Sequence, residues 1–192
     1  RVHGRRLRLD GAAGEGGGSS PYWADLPPAK LVDHIESTHH AYLHAEMPRL
    51  AMLATKVRDV HGGRHPELAE VARVYLELQA ELDPHLAREE QTIFPAIRVL
   101  DGGGDDAAAA PNLEEPISVL LAEHDRAGEL LEDLRRFTNG FEVPADGCAS
   151  YTALYAGLEE FEGDTHIHVH KENNILFPAV RDIESRLEPS RS

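Results

Sequence analysis

Two stretches of the chain carry a histidine and a glutamate one helical turn apart inside nearly the same run: His85-Leu-Ala-Arg-Glu89-Glu-Gln-Thr-Ile-Phe-Pro-Ala-Ile97 and His168-Val-His-Lys-Glu172-Asn-Asn-Ile-Leu-Phe-Pro-Ala-Val180. A lone H-x-x-x-E says little, because 12 histidines and 34 acidic residues in 192 positions make about two such pairs by chance. The discriminating observation is that both pairs sit in one repeated run, 83 residues apart. At almost the same spacing, 84 residues, His40 answers His124. The chain therefore reads as two copies of one unit, each supplying a lone histidine and then a His–Glu pair.

Side chains at i and i+4 share a helix face, so an imidazole nitrogen and a carboxylate oxygen can converge on one cation. Four imidazoles and two carboxylates without sulfur suit iron, manganese or zinc, and carboxylates can bridge two metals. The simplest filling is a pair of iron ions held by His40, His85, Glu89, His124, His168 and Glu172. Glu89 and Glu172 would bridge, leaving positions for oxo, O₂, NO or water. A single histidine on an apolar stripe is more often a hydrogen-bonded core residue. Two mirrored His–Glu pairs would be a costly way to build a core, since an unpaired buried glutamate is expensive. Ferritin-like bundles use Glu-x-x-His with a glutamate majority, whereas histidine is in the majority here.

Four stretches of helical periodicity must position these groups, over roughly 28–60, 66–98, 116–138 and 148–186. The breaks His61–Pro66, Asp101–Pro111 and Asn139–Pro144 are rich in Gly, Pro and Asp and cannot continue a helix. Nothing reads as a strand. The expected fold is all-α, an antiparallel up-down-up-down four-helix bundle with an internal two-fold pseudo-repeat. The fourth stripe, Leu158, Phe161, Thr165, His168, Glu172, Ile175 and Ala179, keeps a 3,4 spacing throughout. The second gives Val71, Val74, Leu78, Glu81, His85 and Glu89, and the third gives Ile117, Leu120, His124, Leu131 and Leu134. The first gives His40, Leu43, Met47, Leu50, Ala54, Val57 and His61, with a kink expected at Pro48.

The length fits one domain: a flexible lead-in over 1–25, the bundle over 26–187 and a tail over 188–192. A formal charge of −15 disfavours nucleic acid and anionic membrane surfaces as partners. The single cysteine, Cys148, excludes a disulfide framework or a Cys-rich metal site and makes a reducing, cytoplasmic location the default. No apolar run approaches the roughly 18 residues of a membrane span.

Other polar residues read more modestly. A helix continuous from His40 to His61 would separate them by about 31 Å, so His61 is expected to cap a helix end or support the site indirectly, unless Pro48 ends the helix and the chain doubles back to make it a ligand. His166 and His170 read as a solvated face; His34, His39, His44 and His65 read as surface or hydrogen-bonded residues, and Glu90 as solvated. Glu81, a turn before His85, and Glu123, beside His124, read either as surface acids or as an acidic path for protons or iron. Cys148 follows Pro-Ala-Asp-Gly at a helix start, where a thiolate gains some stabilisation, although a structural role is expected.

The segments LVDHIESTHHAYLHAEMPRL, KVRDVHGGRHPEL, HLAREEQTIFPAI, PISVLLAEHDRAGELL, CASYTALYAGL and HVHKENNILFP together resemble the hemerythrin-like repair-of-iron-centres proteins, from about Leu26 to Val180. That resemblance implies a non-haem di-iron centre, oxo- and carboxylate-bridged, on the six residues above, and acidic channel positions at Glu81 and Glu123. It further implies a role in mending iron–sulfur clusters damaged by NO or oxidants. Members often carry a small N-terminal domain with two adjacent cysteines. No such pair stands in these residues, so the resemblance does not extend to thiol-linked iron transfer or to dimerisation through that domain. Three uses of the same ligands stay open: iron donation or NO handling toward damaged iron–sulfur proteins, reversible O₂ or NO carriage or sensing, and turnover as an NO reductase or peroxide-disproportionating enzyme.

Overall fold

The computed structural model describes residues 23–187; the lead-in over 1–22 and the tail over 188–192 lie outside the described residues. The described chain is helical, with no strand among its residues. A 3₁₀ turn, Trp23–Asp25, precedes α1 (Pro28–Ile35) and α2 (Ala41–His61), followed by α3 (Leu68–Arg88), α4 (Phe94–Gly102) and α5 (Gly104–Ala109). Then come α6 (Glu114–Phe137), α7 (Ala149–Lys171) and α8 (Phe177–Leu187). Trp23, expected in the flexible lead-in, is instead tied down by stacking on His34 at 4.1 Å.

Helices α1–α2, α3–α4 and α7–α8 each form one continuous rod, because a π turn joins their halves: Glu36–His40, Glu89–Ile93 and Glu172–Leu176. Each π turn adds one residue to the helical register. This corrects the fourth stripe: beyond Glu172 the buried residues are Leu176, Phe177 and Val180, whereas Ile175 and Ala179 are only half-buried. At the second and third π turns the wider turn comes just before Pro95 and Pro178, which have no N–H to give to a regular helix. At the first, Ser37 and Thr38 hydroxyls both donate to the His34 carbonyl, at 3.2 and 2.6 Å, and compete with the helix ladder. Helix α2 runs unbroken through Pro48. The Asp101–Pro111 segment holds a short helix, α5, where a break was expected; the chain leaves the helix only at Gly103, whose φ of 69° a glycine adopts without strain, and again over 110–113 before α6.

Helix α2 packs against α3 and α7, α3 against α6, and α6 against α7. Two separate apolar clusters result. One holds Leu43 to Val57 of α2, Leu68 to Leu86 of α3, Ala127 to Leu134 of α6 and Tyr151 to Phe161 of α7. The other holds Leu31 to Ile35, Ile93 to Leu100, Leu113 to Leu120 and Leu176 to Val180. Every rod crosses from one cluster to the other at His40, at His85 and Glu89, at His124, or at His168 and Glu172. Those polar residues form the layer between the clusters. No helix among the described residues is long and apolar enough to cross a membrane.

Candidate metal centre

All six predicted residues are buried, none more than 5 % exposed, and Glu89 and Glu172 are fully enclosed. Their donor atoms fall into two groups, each within 4.8 Å: His40, Glu89, His168 and Glu172, and His85, Glu89, His124 and Glu172. Both glutamates belong to both groups. Glu89 Oε2 lies 3.4 Å from Nε2 of His40 and of His85, while Glu172 reaches His168 through Oε1 at 3.0 Å and His124 through Oε2 at 3.2 Å. Even so, both oxygens of Glu89 and Oε2 of Glu172 have no hydrogen-bond partner. Three orphaned carboxylate oxygens in a buried layer are what a bound cation would satisfy.

The imidazoles point the same way. His40 Nδ1 donates to Glu90 Oε1 at 2.9 Å, His85 Nδ1 to Glu123 Oε2 at 2.8 Å and His124 Nδ1 to Asn173 Oδ1 at 2.8 Å. Donation from Nδ1 fixes the tautomer that turns a bare Nε2 lone pair inward. His85 and His124 then face each other with their Nε2 atoms 3.1 Å apart. Two lone pairs cannot bond to one another, so a proton or cation belongs between them. His40 and His168 meet likewise at 3.2 Å.

Charge makes the same demand. Burial alone would push His40 and His124 down, but the carboxylates of Glu89 and Glu172 prevail and hold both above their ordinary value. Burial would push Glu172 up, yet His168 and His124 hold it well below the usual carboxylate range. This donor set of four nitrogens and two carboxylates therefore fits a pair of divalent or trivalent borderline metals.

Of the remaining residues named from the sequence, Glu123 reaches the site, bonded to His85 and to Arg88 at 2.5 Å. Glu81 is half-exposed beside buried Leu82 and pairs with Arg126 at 3.5 Å, so it faces the layer less directly than its stripe suggested. Glu90, expected to be solvated, joins His40 and His44. His61 lies at the far end of α2 and outside both donor groups. His166 and His170 are exposed, as expected of a solvated face. Sequence reasoning missed Asn173 and Lys171. Lys171 is buried, donates to His34 and His39 at 2.8 Å each, and lies 4.3 Å over the Trp23 ring. His39 in turn donates to Asp164 at 2.8 Å and stacks on His168 at 5.5 Å. The adjacency of Asn173 and Lys171 to Glu172 was the available signal.

A helical layer of buried histidines and glutamates defines a class of cation-binding domain, and the hemerythrin HHE cation binding domain matches residues 31–180. The chain belongs to that family. Within it the chain stands with the iron–sulfur cluster repair proteins. It is 40 % identical over 158 residues to a probable iron-sulfur cluster repair protein of Haemophilus influenzae, covering 82 % of this chain and 67 % of that protein. It is similarly 39 % identical over 157 residues to the iron-sulfur cluster repair protein YtfE of Escherichia coli O157:H7, covering 81 % and 67 %. The corresponding protein of Citrobacter koseri is 37 % identical over 156 residues, with the same shares.

Proposed function

We propose that the chain is a non-haem di-iron protein acting in iron–sulfur cluster repair under nitrosative or oxidative stress. Its framework, in this reading, is one domain over 26–187, an up-down-up-down four-helix bundle with an internal two-fold repeat. The bundle is supported by the rods alternating between the two apolar clusters, the first and third leaving the cluster that the second and fourth enter. The observation that carries the metal reading is that two fully buried glutamates each belong to both donor groups, with three oxygens unpaired. His40 and His168 would hold one iron, His85 and His124 the other, and Glu89 and Glu172 both.

Bound there, the iron pair would supply one-electron redox change and affinity for NO or O₂. The chain's own residues do the rest. Glu90, Glu123 and Asn173 keep the imidazoles turned inward, and the apolar clusters on either side exclude water. Glu123 is one-third exposed and bonded to His85, which suits it to carry protons or iron between surface and layer, with Glu81 on the neighbouring α3, a turn before His85. The names of the relatives support damaged iron–sulfur proteins as partners, and the single cysteine is what favours the cytoplasm as the place of action.

The test is to mix the iron-loaded chain with a nitrosylated cluster enzyme. The enzyme should regain activity as iron leaves the chain. Reversible NO or O₂ adducts without iron transfer would favour a carrier or sensor instead, and steady turnover with an electron donor would favour a reductase or peroxidase.

A further inference from the structure

His61, the last residue of α2, is 5 % exposed and has no place in the metal layer. The helix from Ala41 to His61 carries it about 30 Å from His40. Its Nδ1 has no hydrogen-bond partner, and its Nε2 faces Cys148 Sγ at 3.1 Å. Tyr151 packs edge-on against the ring at 5.4 Å and holds that aim. Cys148 is exposed and occupies the N-cap of α7, where free backbone N–H groups favour a negative charge. The other charged groups nearby pair among themselves. His65 bonds Asp146 at 2.9 Å and Glu67 at 3.2 Å, and Arg64 meets Asp146 at 3.1 Å. An enclosed imidazole with one outlet, aimed at an accessible sulfur on a helix N-terminus, is the arrangement that makes a thiol nucleophilic.

We infer that Cys148 and His61 form a reactive thiol–imidazole pair that exchanges with low-molecular-weight disulfides, a modification site separate from the metal layer. Cys148 releases its proton to solvent, and His61 Nε2–H donates to the thiolate. The thiolate attacks one sulfur of the disulfide; the Cys148–sulfur bond forms, the reagent's S–S bond breaks, and the departing thiolate takes a proton from water. Cys148 is thereby oxidised and half of the reagent reduced. These 192 residues hold one cysteine, so within them the product stops at the mixed disulfide. The charge of −15 sets two copies against each other, which favours a small disulfide over a second chain. The backbone N–H of Tyr151, with the His61 hydrogen bond, brings the Cys148 thiol down from 9.0 to about 7.

The test follows thiolate release from dithiobis-nitrobenzoate by the full, iron-loaded chain across the neutral pH range. The native rate should inflect near pH 7. At that pH a thiol titrating near 7 is about half ionised, against about one per cent near 9, while its intrinsic nucleophilicity is about ten-fold lower, which leaves a gain of about five-fold. His61→Phe and His61→Asn should each move the inflection upward and slow the neutral rate while keeping the native iron content, and Cys148→Ser should release nothing. With oxidised glutathione, mass analysis should find one glutathione per chain. A native inflection in the ordinary thiol range, His61 variants that both match the native profile, or disulfide-linked chain pairs as the main product would each overturn the inference.

Discussion

At the residue scale, the groups that hold the imidazoles matter nearly as much as the imidazoles. Asn173 accepts from His124 Nδ1 at 2.8 Å, so Asn173→Leu leaves that nitrogen unsatisfied and the ring free to turn. Such losses typically cost about 10–100-fold in metal affinity. Competition against a chelator should find iron held that much more weakly, and an unchanged affinity would contradict the assignment. Glu123→Leu should weaken iron similarly and also slow its transfer to a damaged cluster protein, whereas a native transfer rate would remove Glu123 from the path. The six central residues were legible because a repeat at an offset of 83 or 84 residues marks them and a 3,4 stripe puts them inside. Glu90 and Asn173 were not, because each sits one residue after a candidate ligand and off its apolar stripe, where a solvated reading is the natural one.

At the element scale, the π turns explain where sequence periodicity stops being a guide. Three of the rods widen at the metal layer, and two of these turns begin at Glu89 and Glu172 themselves. The fourth rod's pattern of 3,4 spacing ran on through Glu172 because Ile175 and Ala179 happen to be apolar, yet the extra residue turns Leu176 and Val180 inward instead. Deleting exposed Asn174 would restore a regular helix and return Leu176, Phe177 and Val180 to the apolar stripe. Compared metal-free, that variant should melt close to the native chain, yet it should take up less iron on loading, because the turn that places Glu172 is gone. Full retention of iron would show that the π turn does not position the carboxylate. The number, extent and order of the long rods were legible from the Gly- and Pro-rich breaks, whereas π turns leave no distinct composition and α5 hides among small residues.

At the scale of the whole molecule, two apolar clusters are held apart by a polar layer that is poorly satisfied by protein atoms alone. A buried carboxylate without a hydrogen-bond partner costs several kcal/mol, and Glu89 is one, with Oε2 of Glu172 unpaired beside it. The metal-free chain should therefore be markedly less stable than the loaded one, and a ligand at about a hundred times its Kd adds about 2.7 kcal/mol. Thermal melting with and without a chelator checks this, and equal melting temperatures would contradict it. Replacing Glu89 by leucine joins the two clusters through an apolar contact. In the metal-free state Glu89→Leu should melt above the native chain, by about 1–4 kcal/mol of stability, and a lower melting temperature would mean that Glu89 has a partner of its own. The same variant gives the most direct measurement of the central claim, the iron content per folded chain after loading. The native chain should hold two irons and Glu89→Leu fewer than two; a native chain that holds none or one, or a Glu89→Leu chain that keeps two, would contradict the di-iron assignment.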